Sequence, residues 1–154
     1  MTSLDLQAAL LDAVQTEKDA MDYYHLAAEK ATDERVRKTF ELLSNEERQH
    51  AFSFYQACDD SHLAGFDEMM AVAPNTESSW FKALKKAMVS EFDERLALEL
   101  AIEQEDALEK QLRAMADKIS DAKIRSIYLA NANSTHQHME LIEEDYKAML
   151  GMSS

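Results

Sequence analysis

The sequence predicts an all-α fold, a bundle of four long antiparallel helices, and three observations carry that prediction. Only 2 Gly and 1 Pro punctuate the 154 residues, too few for the turns of a strand-rich fold. Ala, Leu, Glu, Lys, Met and Gln dominate, and these residues lose least on entering a helix. Apolar residues recur at three- and four-residue steps in four separate stretches. A chain of this length, 46% hydrophobic, buries a real core as one domain, residues 1–154.

The first helix is expected over residues 3–30. Thr2 and Asp5 read as its capping box, and Leu6, Leu10, Ala13, Ala20, Tyr24 and Ala27 form its apolar stripe. The second is expected over residues 33–58, with Val36, Phe40, Leu43, Phe54 and Ala57 facing inward. Residues 59–89 break the pattern with Gly65, Pro74 and a polar run, and read as a crossover carrying a short helix at 79–88. In that helix Trp80, Phe81 and Leu84 pack down. A third long helix follows, with Ser90 as N-cap and Leu98, Ala101, Leu108, Leu112 and Met115 inward. The fourth is expected over 122–150, with Ile124, Tyr128, Ile142 and Met149 inward and Gly151 as the stop. Short links within residues 3–58 and 90–150 make two hairpins, and the long link between them gives a one-crossover bundle.

Each stripe has gaps, and the gaps hold the chemistry. Stepping by three and four, the first helix reaches Glu17, the second Glu47 and His50, the third Glu105, and the fourth Asn131, Thr135 and His138. Polar, mostly ionisable groups thus fall on faces that should be buried. A buried carboxylate needs a partner, and no Lys or Arg lies on these stripes. A divalent cation is the natural compensation, and Glu oxygens with His nitrogens suit Fe, Mn or Zn. A polar layer that only fixes helix register is the simpler alternative, but such devices use one residue per helix at most.

The halves of the chain also align without a gap under a shift of 88 residues. Ala13 falls on Ala101, Glu17 on Glu105, Lys30 on Lys118, Asp33 on Asp121, Arg37 on Arg125, Gln49 on Gln137 and His50 on His138. Two hairpins related by a pseudo-twofold axis are expected, with the candidate site on the axis.

Glu17, the run Glu47-Arg48-Gln49-His50, Glu105 and His138, one set per helix, resemble the ferritin-like di-iron carboxylate proteins. Ala13-x-x-x-Glu17, Glu46-Glu47-Arg48-Gln49-His50-Ala51, Ala101-Ile102-x-x-Glu105 and His138-Met139-Glu140-Leu141 are most similar to the rubrerythrin branch. The resemblance covers nearly the whole chain except the crossover. It implies a ferritin-like bundle whose Glu17, Glu47, His50, Glu105 and His138 hold non-haem iron. It further implies oxidoreductase chemistry on peroxide or O2 or the handling of iron, an external electron donor, and a homodimer. The family places a Glu three residues before the fourth-helix His, where this chain has Thr135. Three carboxylates leave two divalent ions at +1, so an added anion makes up the charge, another carboxylate swings in, or one metal binds. Glu109 and, less well, Asn131 are the substitutes within a turn. Leu108 stands where full rubrerythrins carry a further Glu, and there is no rubredoxin domain, which argues against peroxidase activity of the full kind. The alternative is a degenerate bundle with one metal or none, serving metal storage, sensing or scaffolding.

The remaining features narrow the class. A formal net charge of −14 argues against nucleic acid and against anionic membranes as partners. Cys58 is the only cysteine, so no intrachain disulfide or CxxC metal module is expected, and it reads as a small core residue. The first fifteen residues show no basic region followed by an apolar core, so a cytoplasmic location is expected. His25, His62 and His136 read as surface residues, and the methionines as core filler.

Overall fold

The computed structural model describes residues 2–59 and 63–151; the expectation for His62 lies outside them. Among the described residues there is no strand, and the helices are α1 Ser3–Lys30, α2 Glu34–Ala57, α3 Phe66–Ala71, α4 Ser79–Lys86, α5 Glu94–Lys118 and α6 Ala122–Met149. None is long and apolar enough to cross a membrane.

Side chains that accept hydrogen bonds from otherwise unpaired backbone N–H groups set where most of the helices begin. Thr2 and Asp5 form the reciprocal capping box of α1. Asp33, Asp93 and Asp121 each accept from the N–H three residues on, and Ser78 does the same for α4. The third long helix therefore starts at Asp93 and not at Ser90. The Asp93 carboxylate takes the Leu96 N–H, while its own N–H donates to the Ala87 carbonyl at 2.8 Å, which folds the preceding residues back. At six residues, α3 is too short to leave a periodic signal in the sequence. Gly151 takes φ 73° just past α6, the left-handed stop its position suggests.

The order of the long helices follows from which ends meet. Near the α1–α2 turn, the Asp33 N–H donates to Glu94 of α5 at 2.9 Å. At the opposite end, the Asp59 N–H donates to Gln7 of α1 at 2.8 Å. The Tyr23 hydroxyl donates to the Ala97 carbonyl at 2.6 Å, so α5 starts beside the end of α1 and runs antiparallel to it. Contacts from Arg35 to Asp145 and from Asn131 to Ser53 make α6 antiparallel to α2. Every neighbouring pair of long helices is antiparallel, and the crossover must climb the length of the bundle. The α4 helix is its foothold: Trp80 packs edge-on against Tyr23 and Tyr24, with centroids at 5.3 and 5.6 Å. Such pairs add about 0.5–1.5 kcal/mol beyond their buried area.

The core lies where the stripes place it. Leu10, Ala20, Tyr24, Phe40, Leu43, Phe54, Leu98, Ala101 and Ile142 are fully buried. Phe81, Ala57, Met115 and Ile124 are half-buried, while Met149 is exposed. Cys58 sits one residue beyond α2, half-buried against the core rather than within it.

Candidate metal centre

Glu17 on α1, Glu47 and His50 on α2, Glu105 on α5 and His138 on α6 are brought together near the middle of the bundle. The three carboxylates are 0% exposed, His50 8% and His138 3%. His138 Nδ1 lies 2.8 Å from Glu47 Oε1 and 3.8 Å from Glu105 Oε1. His50 Nδ1 lies 3.4 Å from Glu17 Oε2 and 3.7 Å from Glu47 Oε2. The imidazoles stack with centroids 5.1 Å apart and planes 3° from parallel. Each histidine therefore faces the carboxylate of its own hairpin's first helix, and Glu47 stands between them. Glu17 with His50 and Glu105 with His138, equivalent under the 88-residue shift, are placed alike, whereas Glu47 has only Thr135 at its equivalent position.

The protonation of each member is set by the others. Burial, and then the charge of Glu47, hold Glu17 well above the usual carboxylate range. Burial, together with Glu47, raises Glu105 to about 7. Burial would raise Glu47 as well, but Glu17, His138 and His50 beside it pull it below its ordinary value. Burial opposes protonation of the imidazoles, yet the carboxylates beside them raise His50 to about 10 and His138 to about 11. Lys18, buried beside Glu17, gives its ammonium to Asp22 at 2.5 Å and leaves the cluster without a cationic residue of that kind.

No protein-family model, curated protein or solved structure matches this chain. Glu17 Oε1 and Oε2, Glu47 Oε2, His50 Nδ1 and Glu105 Oε2 are buried without a hydrogen-bond partner. Buried polar atoms that make no hydrogen bond are costly, and Glu17 Oε2 and Glu47 Oε2 reach His50 Nδ1 only at 3.4 and 3.7 Å. Ligand atoms of Glu47, His50 and His138 all lie within 4.8 Å of one another, a spacing that one ion can bridge. Carboxylate oxygen with imidazole nitrogen is a donor set for Fe, Mn or Zn, so the residues fit the metal that the sequence points to.

Two residues of the site were not foreseen. His138 Nε2 bonds Glu46 Oε2, and His50 Nε2 lies 2.9 Å from Ser134 Oγ. Glu46 and Ser134 are equivalent under the 88-residue shift, and each orients the opposite hairpin's imidazole from its outer nitrogen, as metal-binding histidines require. They lie one residue before Glu47 and Thr135, just off the apolar stripes, where a polar residue carries no signal. Tyr24 also serves the site from the core, its hydroxyl donating to Glu105 Oε1 at 2.6 Å.

The substitutes for a fourth carboxylate lie elsewhere. Glu109 pairs with Arg113 at 2.8 Å and with His136 at 2.9 Å, on the outer face where His136 is exposed as expected. Asn131 donates to Ser53 Oγ and to the Ile127 carbonyl. Thr135 is fully buried, and its hydroxyl donates to the Asn131 carbonyl at 2.8 Å.

Proposed function

We propose that the protein is a metal protein of the ferritin-like, rubrerythrin type, holding non-haem iron between its four long helices. The observation that carries this reading is the buried convergence of Glu17, Glu47, His50, Glu105 and His138, with five donor atoms that make no hydrogen bond. A network kept only for stability accounts for it less well, because well-packed apolar residues do as well or better in such a place. Glu47, His50 and His138 would hold an ion first, and Glu17 and Glu105 would complete its shell or hold a second.

Iron bound there supplies a redox couple and a Lewis acid for a small oxygen-containing substrate, peroxide or O2, with electrons from an external donor. The protein's own groups do the rest. Glu46 and Ser134 orient the imidazoles, Tyr24 steadies Glu105, and Phe54, Leu98 and Ala101 help wall the interior from water. The homodimer that accompanies this family belongs to the same proposal and is tested by sedimentation equilibrium.

One observation favours a second reading, a single ion in a storage or sensing role. Thr135 stands where a fourth carboxylate would neutralise a pair of ions, and its hydroxyl is turned to the backbone. Elemental analysis of protein purified without added metal tests both. Two irons per chain support the dinuclear form, and one ion the mononuclear form. A chain that carries no metal, and takes up none after reconstitution with Fe(II), Mn(II) or Zn(II), removes the proposal.

A further inference from the structure

A cavity of about 60 Å³ opens on the seam of α1, α5 and α6 and ends at the candidate centre. Exposed Asp12 and Gln111 and half-buried Thr16 line its outer part, and fully buried Glu17 and nearly buried Leu108 its inner part. Tyr128, 2% exposed, forms one wall, and its hydroxyl has no hydrogen-bond partner. Neither oxygen of Glu17 has one either. Thr16 donates its hydroxyl proton to the Asp12 carbonyl at 3.0 Å, which leaves that oxygen's lone pairs available.

We infer that this cavity is the port through which a divalent cation reaches the centre. The inference rests on the metal-binding reading above. The space admits one or two water-sized species, so a bare or partly hydrated ion fits and a chelate does not. Its polar lining is mainly oxygen: a carboxylate at the mouth, two hydroxyls along the way, and at the floor the Glu17 carboxylate, which makes no hydrogen bond. No Lys or Arg lines it. In a chain of formal charge −14, such a cleft concentrates cations and repels anions. Asp12 captures the ion, Thr16 and Tyr128 stand in for part of its water shell, and Glu17 passes it to Glu47 and His50. Hairpin 2 has no such chain, because Leu100 and Gln104 occupy the positions equivalent to Asp12 and Thr16. The port is thus one-sided although the ligands are nearly symmetric.

The test is the rate at which chelator-stripped protein takes up Co(II), followed by the absorption of the bound ion after rapid mixing at low ionic strength. Asp12→Asn is expected to slow uptake about three- to tenfold. Ala9→Trp, placed at the cavity wall, is expected to slow it further, while the final Co(II) per chain stays at the wild-type value. Glu77→Gln, on the crossover, should load at the wild-type rate, and added salt should shrink the effect of Asp12→Asn. Circular dichroism checks that each variant is folded. Wild-type rates for Asp12→Asn and Ala9→Trp, or equal slowing by Glu77→Gln, would overturn the port while leaving the metal site intact. A wild-type protein that binds no Co(II) overturns the metal site itself.

Discussion

Glu47 is the residue on which the two halves of the candidate centre meet, since both histidines approach its oxygens. Glu47→Ala and His50→Ala are each expected to abolish most metal binding, measured as metal per chain after reconstitution. Full stoichiometry in both variants would place the site elsewhere. Tyr24→Phe removes one hydroxyl and keeps the ring, so it isolates the bond to Glu105. It should cost about 1.5–3 kcal/mol, read from urea unfolding with an unchanged slope. Thr135→Glu tests how many ions the site takes. More metal at equal or higher stability supports an incomplete dinuclear set, whereas lower stability with no added metal supports one ion. The inner residues were legible in the sequence because a charged group in an apolar stripe violates the pattern around it. Glu46 and Ser134 violate nothing: they lie one position off the stripe, where polar residues are ordinary, and only their contacts with the outer imidazole nitrogens reveal them.

At the scale of elements, four aspartate or serine caps and one capping box place the helix starts. Asp33 and Asp121, equivalent under the repeat, open the second helix of each hairpin in the same way. Replacing either by Ala should cost about 1 kcal/mol, and the two losses should add because the sites are independent. Thermal or urea unfolding of the two single variants and the double variant measures both statements. The long helices were legible because each repeats its period for many turns. The start of α5 was misread because Ser90 and Asp93 both satisfy a capping pattern. The choice between them depends on the Ala87 carbonyl, a tertiary contact that no local spacing encodes.

For the whole molecule, the centre links stability to pH. Glu105, raised to about 7 from 4.5, stabilises the metal-free protein fully below its unfolded value, and that contribution is lost as pH rises through about 7. His50 and His138, raised to about 10 and about 11, stay protonated in the folded protein while unfolded histidines lose their protons near 6.5, so both add to the same downward slope above that pH. Glu47, lowered by its neighbours, works in the opposite sense and loses its contribution as pH falls below the ordinary carboxylate range. Chelator-stripped protein should therefore melt at a lower temperature at pH 8 than at pH 5.5, and Glu105→Gln should remove only part of that difference, the histidines keeping the rest. Metal should reverse the trend, because its ligands bind it deprotonated. A stripped protein whose melting temperature is flat or rises over that range, with no change on adding metal, would contradict a buried centre.

The alternation of helix direction has one more consequence. Each long helix carries a macrodipole, worth roughly half a unit charge at either end. With every neighbour antiparallel, a positive end lies beside a negative end at both faces of the bundle. Glu17, Glu47, Glu105 and His138 sit near the middle of their helices, far from all of these ends. The opposed fields cancel there, and the potential at the centre comes from nearby side chains alone. Altering the caps at Asp33 or Asp121 should thus lower the melting temperature and leave metal affinity unchanged. The bundle can vary at its ends without retuning what it holds in the middle.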